Sequence, residues 1–112
     1  MARPVTVGLN LTANTLTTVY TVPTGYYAKW NLMYLLNGTG STKTISVTWH
    51  DHSANTNISI LSDYGLTSKT YFKLDGGAYM VLEAGDYITM TSEAGSTMSY
   101  ICTFEVEKKE GL

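Results

Sequence analysis

From end to end the chain alternates apolar and polar residues over short, Thr-rich segments, and turn residues cut each segment before a helical period can establish itself. Alternation with period two is the spacing of a strand with one buried face, so the sequence specifies an all-β domain. Val5, Val7, Leu9 and Leu11 alternate with Thr6, Gly8, Asn10 and Thr12. Leu16 to Val22 is β-branched and aromatic and stops at Val22-Pro23-Thr24-Gly25, where proline fixes φ and glycine permits a positive φ. Tyr26 to Leu36 puts Ala28, Trp30, Leu32, Tyr34 and Leu36 on one face and Tyr27, Lys29, Asn31, Met33 and Leu35 on the other. Both faces turn apolar toward its end, as in a strand that is central in its sheet or that passes from core into a subunit contact.

Beyond the reversal at Asn37-Gly38-Thr39-Gly40-Ser41, Ile45, Val47 and Trp49 form another one-sided strand, and His50 to Thr56 reads as a polar loop. Asn57 to Leu61 and Lys69 to Leu74 are shorter strands flanking Asp63-Tyr64-Gly65, and Asp75-Gly76-Gly77 is a tight-turn signal. Ala78 to Leu82, Tyr87 to Thr91 and Thr97 to Glu107 follow, separated by Glu83-Ala84-Gly85-Asp86 and Glu93-Ala94-Gly95-Ser96. The expectation is a single-domain antiparallel β-sandwich over residues 1–112, jelly-roll-like, with about eight or nine strands and flexible ends at 1–4 and 108–112.

Charged residues make up only 14% of the chain, against a usual share of about 25%, so the surface rests on Thr, Ser, Asn, Gly and Tyr. Seven basic residues and a net charge of -2 do not build a phosphate-binding face, which argues against nucleic acid as a partner. No apolar leader follows Met1-Ala2-Arg3-Pro4, and no stretch reaches the ~20 apolar residues of a membrane span. Synthesis in the cytoplasm, with no membrane partner, is therefore expected. The single Cys102 sits in the alternating run Met98, Tyr100, Cys102, Phe104, Val106, which makes it a small buried hydrophobe rather than a reactive thiol. Sequons at Asn10, Asn37 and Asn57 follow from a composition rich in Thr, Ser and Asn.

Little in the chain carries chemistry. His50-Asp51-His52 places two imidazoles around a carboxylate without a third or fourth ligand nearby in sequence, so a solvated loop is the simpler reading and no metal is assigned. Glu83 and Asp86 bracket Ala84-Gly85 as a tight turn would, rather than as an acid-base pair or a calcium site. No nucleophile elbow, phosphate loop or zinc-protease helix occurs, which leaves no catalytic residue, no cofactor and no enzyme to predict. Tyr and Trp supply stiff contact area and also stack on sugars. Trp30 and Trp49 fall on inward faces, whereas Tyr26, Tyr27, Tyr64 and Tyr71 lie at strand starts or in loops and are the candidate interface residues.

Three turn motifs recur in one order here: Val22-Pro23-Thr24-Gly25, then a strand leading to Asn37-Gly38-Thr39-Gly40, then Leu82-Glu83-Ala84-Gly85-Asp86 ahead of a strand. In this the chain resembles small jelly-roll or sandwich structural proteins of tailed-bacteriophage virions, over most of positions 16–107. The resemblance implies a non-enzymatic virion protein, of the capsid decoration or cement type or of the neck and tail accessory type. Its implied partners are the major capsid protein or other virion subunits and further copies of itself, as a trimer or a higher ring. A carbohydrate-binding module on a tail structure is the alternative that the tyrosines suggest.

Stability arguments point the same way. Without a disulfide, only burial offsets a backbone ordering cost on the order of 1–2 kcal/mol per residue. Lysines at 29, 43, 69 and 73 are sparse protection for open sheet edges, and docking into an assembly removes that weakness.

Overall fold

The computed structural model describes residues 3–75 and 80–109. Among them are nine strands and no helix: β1 (Arg3–Asn10), β2 (Thr17–Thr21), β3 (Tyr26–Asn37), β4 (Lys43–Asp51), β5 (Thr56–Leu66), β6 (Tyr71–Leu74), β7 (Met80–Leu82), β8 (Tyr87–Ser92) and β9 (Met98–Lys108). They form two antiparallel sheets. The first runs β1-β9-β3-β6, with β7 pairing a separate stretch of β3, and the second runs β2-β8-β4-β5. This is the expected all-β sandwich. Of the turn signal Asp75-Gly76-Gly77, the two glycines lie outside the described residues. Arg3, Pro4 and Lys108, assigned from sequence to the ends, are paired strand residues.

Side chains from the inner faces of both sheets close the core. Phe104 at its centre stacks on Tyr20 at 4.6 Å and on Trp30 at 5.8 Å, with Leu35, Ile45, Val47, Leu82, Ile88 and Met90 packed around and fully buried. Alternation predicts this interior well where strands are regular and fails where they bulge. In β3 the pairing with β9 slips between Trp30 and Leu32, so Asn31 is the extra residue and every later side chain changes face. The buried set is therefore Ala28, Trp30, Met33, Leu35 and Asn37, while Leu32, Tyr34 and Leu36 turn outward.

Two further expectations are corrected in the same way. Asp63-Tyr64-Gly65 does not end a strand but lies inside β5, where Asp63 takes a left-handed φ of 46° and donates its backbone N–H to the Ser46 hydroxyl at 2.9 Å. His50 and Asp51 close β4 instead of opening the loop that follows.

One end of the sandwich is held by a buried amide. Asn37, fully buried, donates through Nδ2 to the carbonyls of Leu66 at 2.8 Å and Ser41 at 3.0 Å, and its Oδ1 accepts from the Thr39 N–H at 2.9 Å. Its own main chain is bonded to Thr70 and Lys69, so one residue fastens the β3–β4 loop to the β5–β6 loop. Replacing it with Ala leaves several buried groups unpaired. Asn37→Ala is expected to lower unfolding free energy by about 2–4 kcal/mol in urea titrations, with native-like circular dichroism at low urea.

Candidate interaction surface

At the opposite end, the residues that most resemble a chemical site are committed to structure. Asp86 is buried, and its carboxylate accepts from the Trp49 indole N–H at 3.2 Å and from the backbone N–H groups of His52 at 2.9 Å and Glu83 at 3.0 Å. Its main chain accepts from Val22, and Gly85 N–H donates back to the Val22 carbonyl. The carboxylate thus ties the loops after β4 and β7 to strand β4, and the main chain of the same turn adds the loop after β2. His52 packs on Gly85, where a Cβ would lie 2.7 Å from the imidazole Cδ2. His50 stacks on Tyr87 at 4.4 Å, and its Nδ1 lies 2.7 Å from Asn57 Oδ1. Among the described residues no three His, Cys, Asp or Glu side chains converge as a metal cluster.

Two clefts open among the described residues. A groove of about 220 Å³ lies over Trp49, Asp51, Ser53, Val81, Glu83 and Asp86. Its deepest carboxylate, that of Asp86, already accepts three hydrogen bonds. A second, largely apolar cleft of about 210 Å³ opens between β5 and the β6 and β7 edge, lined chiefly by Trp30, Met33, Ile60, Leu74 and Met80. Cys102 is fully buried, and burial pushes its thiol up to about 12.

What remains is surface, and the two outer faces differ. On the second sheet, Thr18, Thr89, Thr48 and Ser59 lie in register across all four strands, and Thr91 sits beside Ser46. That face is a field of hydroxyls. The first sheet divides along its length. Near the start of β3 it is polar: Tyr27 donates to Glu107 at 2.8 Å and Asn31 to Glu105 at 3.1 Å. Beyond the bulge it carries an apolar cluster bordered by Lys73, Ser99 and Thr103: Ile101 pairs with Tyr34, Leu36 pairs with Tyr71, and Tyr34 and Tyr71 stack at 5.4 Å. Tyr71 is 58% exposed and Ile101 43%.

The four tyrosines singled out by sequence do not share a site. Tyr26 packs against the core, and Tyr27 beside it spends its hydroxyl on Glu107. Tyr71 lies roughly 30 Å further along β3, on the apolar end of the face. Tyr64, exposed on β5, meets the edge of Phe72 at 5.0 Å and bridges the two sheets. Tyr34, Leu36 and Ile101 were missed as surface residues. The signal for the first two was the double-sided apolarity of β3, but simple alternation assigns them inward.

No protein-family profile and no curated protein matches the chain. Solved structures resemble it in fold. A subunit of the Bacillus endospore appendages, described as a novel family of disulfide-linked pili, has a TM-score of 0.56 at 14% identity, over 96% of this chain and 87% of that one. The globular domain of zebrafish complement 1qA protein has a TM-score of 0.50 at 11% identity, over 94% and 96%. Eiger TNF from S. frugiperda has a TM-score of 0.47 at 14% identity, over 97% and 95%. At such identities the likeness is one of architecture.

Two predictions follow from the buried groups. Asp86→Ala strands three donors and is expected to cost roughly 3 kcal/mol in chemical denaturation, with Asp86→Asn costing less because one acceptor oxygen survives. For Cys102 the folded pKa lies above the unfolded value of 9.0. Below pH 9 the thiol is protonated in both states; above it the unfolded chain ionises first, so stability falls as pH rises from 9 toward 12 by up to about 1.4 kcal/mol per pH unit. Tyr20 and Tyr100, both raised from 10.0 chiefly by burial, act in the same direction at higher pH. Cys102→Ala should flatten the segment between pH 9 and 10 in a denaturation series while lowering the baseline.

Proposed function

We propose that this chain is a non-enzymatic structural subunit that works by docking into a multi-copy assembly. The observation that carries the reading is the asymmetry of the two outer faces, one hydroxylic and one with a Tyr34, Leu36, Tyr71 and Ile101 patch that water covers at a cost. Carboxylate and imidazole groups that would serve catalysis are instead spent on holding loops together. In the finer reading the assembly is a bacteriophage particle and the patch seats between capsid subunits, as the order of the three turn motifs suggests. The fold-level likeness to a pilus subunit supports an assembling role. Unlike a disulfide-linked appendage, this chain has a single cysteine, buried at 0% exposure and so out of reach of a partner's thiol.

Purified particles of a phage carrying the gene should hold the chain in tens to hundreds of copies, as symmetric occupancy of a shell or ring requires. A Tyr71→Lys and Ile101→Lys double variant should fold with unchanged circular dichroism, yet its copies per particle, counted by quantitative mass spectrometry, should fall at least about tenfold. Absence of the unmodified chain from particles overturns the phage reading. Full incorporation of the double variant overturns the role of this face. Immunogold labelling separates capsid positions from a neck or tail ring, and glycan-array binding abolished by Tyr71→Ala would move the proposal to carbohydrate recognition.

A further inference from the structure

An edge strand needs an account of its unpaired backbone groups. β1 closes one side of the first sheet and pairs only with β9 among the described residues. Leu11, just past the strand, donates its N–H to the Met98 carbonyl at 2.8 Å, so odd-numbered residues face β9. Pro4 agrees, since a residue without an N–H belongs on the side away from the ladder. The N–H and C=O groups of Thr6, Gly8 and Asn10 therefore point outward together.

The other edges are poor templates for further pairing. β2 has five residues and a register shift between Thr18 and Tyr20. β5 shifts register twice and turns left-handed at Asp63. β6 and β7 have four and three residues. β1 alone offers eight residues in unbroken register, with Arg3 at its start as the only charge. On its inner side Val5 and Val7 pack against the core while Leu9 stands 52% exposed.

We propose that β1 is a self-pairing seam and that its occupant is β1 of a second copy, antiparallel across a two-fold axis. An antiparallel strand is its own complement, which a single unbulged, nearly uncharged edge satisfies without any other surface. Centring the axis on Gly8 places Thr6 opposite the partner's Asn10 and keeps Pro4 outside the ladder. The same register sets Val7 beside the partner's Leu9, covering the exposed leucine. Gly8 at the axis brings the two backbones together with no side chain on the outer face.

The proposal rests on the reading of the chain as an assembling subunit, and purified protein tests it apart from any particle. Sedimentation from roughly 1 µM to 1 mM should give a monomer–dimer equilibrium. Thr6→Pro removes one outward donor per copy and leaves β9 pairing intact, as Pro4 does, and should weaken dimerisation roughly 10- to 100-fold, whereas Thr6→Val, which keeps the amide, should change it less than about twofold. Hydrogen exchange of the unmodified chain provides a second readout that needs no variant. Thr6, Gly8 and Asn10 amides should be protected only where dimer is present, and Val5, Val7 and Leu9 amides at every concentration. A monomer throughout this range, or a dimer with Thr6, Gly8 and Asn10 exchanging freely, overturns the seam and leaves the docking face standing; loss of particle incorporation by the Tyr71→Lys and Ile101→Lys variant with dimerisation unchanged overturns neither and supports the two contacts as separate.

Discussion

Two buried polar side chains, Asn37 at one end of the sandwich and Asp86 at the other, are the interactions on which the remaining geometry depends. Sheets packed face to face are held by apolar contact that has little directionality, and the loops at their ends are mostly Gly, Ser, Thr and Asn. Without a disulfide to tie those loops, alignment must come from directed bonds. Asn37 supplies them from the end of β3 to the loops after β3 and β5, and Asp86 from the start of β8 to the loops after β2, β4 and β7. A half-satisfied polar group in the interior is costly, so each of these residues specifies one loop arrangement rather than adding general cohesion.

The same residues explain why the sequence was so readable in places. The motifs at Val22 to Gly25 and Leu82 to Asp86, which look like separate turns, are bonded to each other through Val22, Gly85 and Asp86. Gly25 and Gly85 adopt φ of 85° and 87°, conformations that glycine takes at no steric cost. Turn chemistry is local, so it is legible one segment at a time. Which side chain of a turn reaches across to another loop is not local, and nothing in Glu83-Ala84-Gly85-Asp86 alone distinguishes the exposed Glu83 from the buried Asp86.

Bulges set the other limit. Strand existence and number were legible from alternation, but one extra residue at Asn31 inverts the assignment of five following positions, Leu32 to Leu36. The apolar patch was therefore visible only as an excess: β3 has more apolar side chains after its midpoint than one face holds. That excess pointed to a contact, and the register decides which residues carry it. Among the tyrosines, position relative to turns was a poor guide for a comparable reason, because Tyr26 and Tyr27 at a strand start are adjacent in sequence yet one packs inward and the other pairs with Glu107.

Both proposed contacts lie on the same sheet, and their placement makes them mutually reinforcing. Across that sheet, Gly8, Ile101, Tyr34 and Lys73 form one row, so the outward edge of β1 adjoins the apolar patch with only β9 between seam and Tyr34. Two copies joined at Gly8 would set their Ile101 side chains on either side of the axis, roughly 15 Å apart by three strand spacings, and bring the two apolar patches onto one continuous sheet face. A surface of that size is far harder to leave in water than either half. Pairing through backbone bonds would then raise the affinity of the face for whatever it docks on, through bivalent engagement rather than new side chains. The outer face of the second sheet, with Thr18 and Ser59 exposed at the ends of its hydroxyl row, would meanwhile stay uncovered on both copies, which is the arrangement expected of a subunit with one side for its assembly and one side for water.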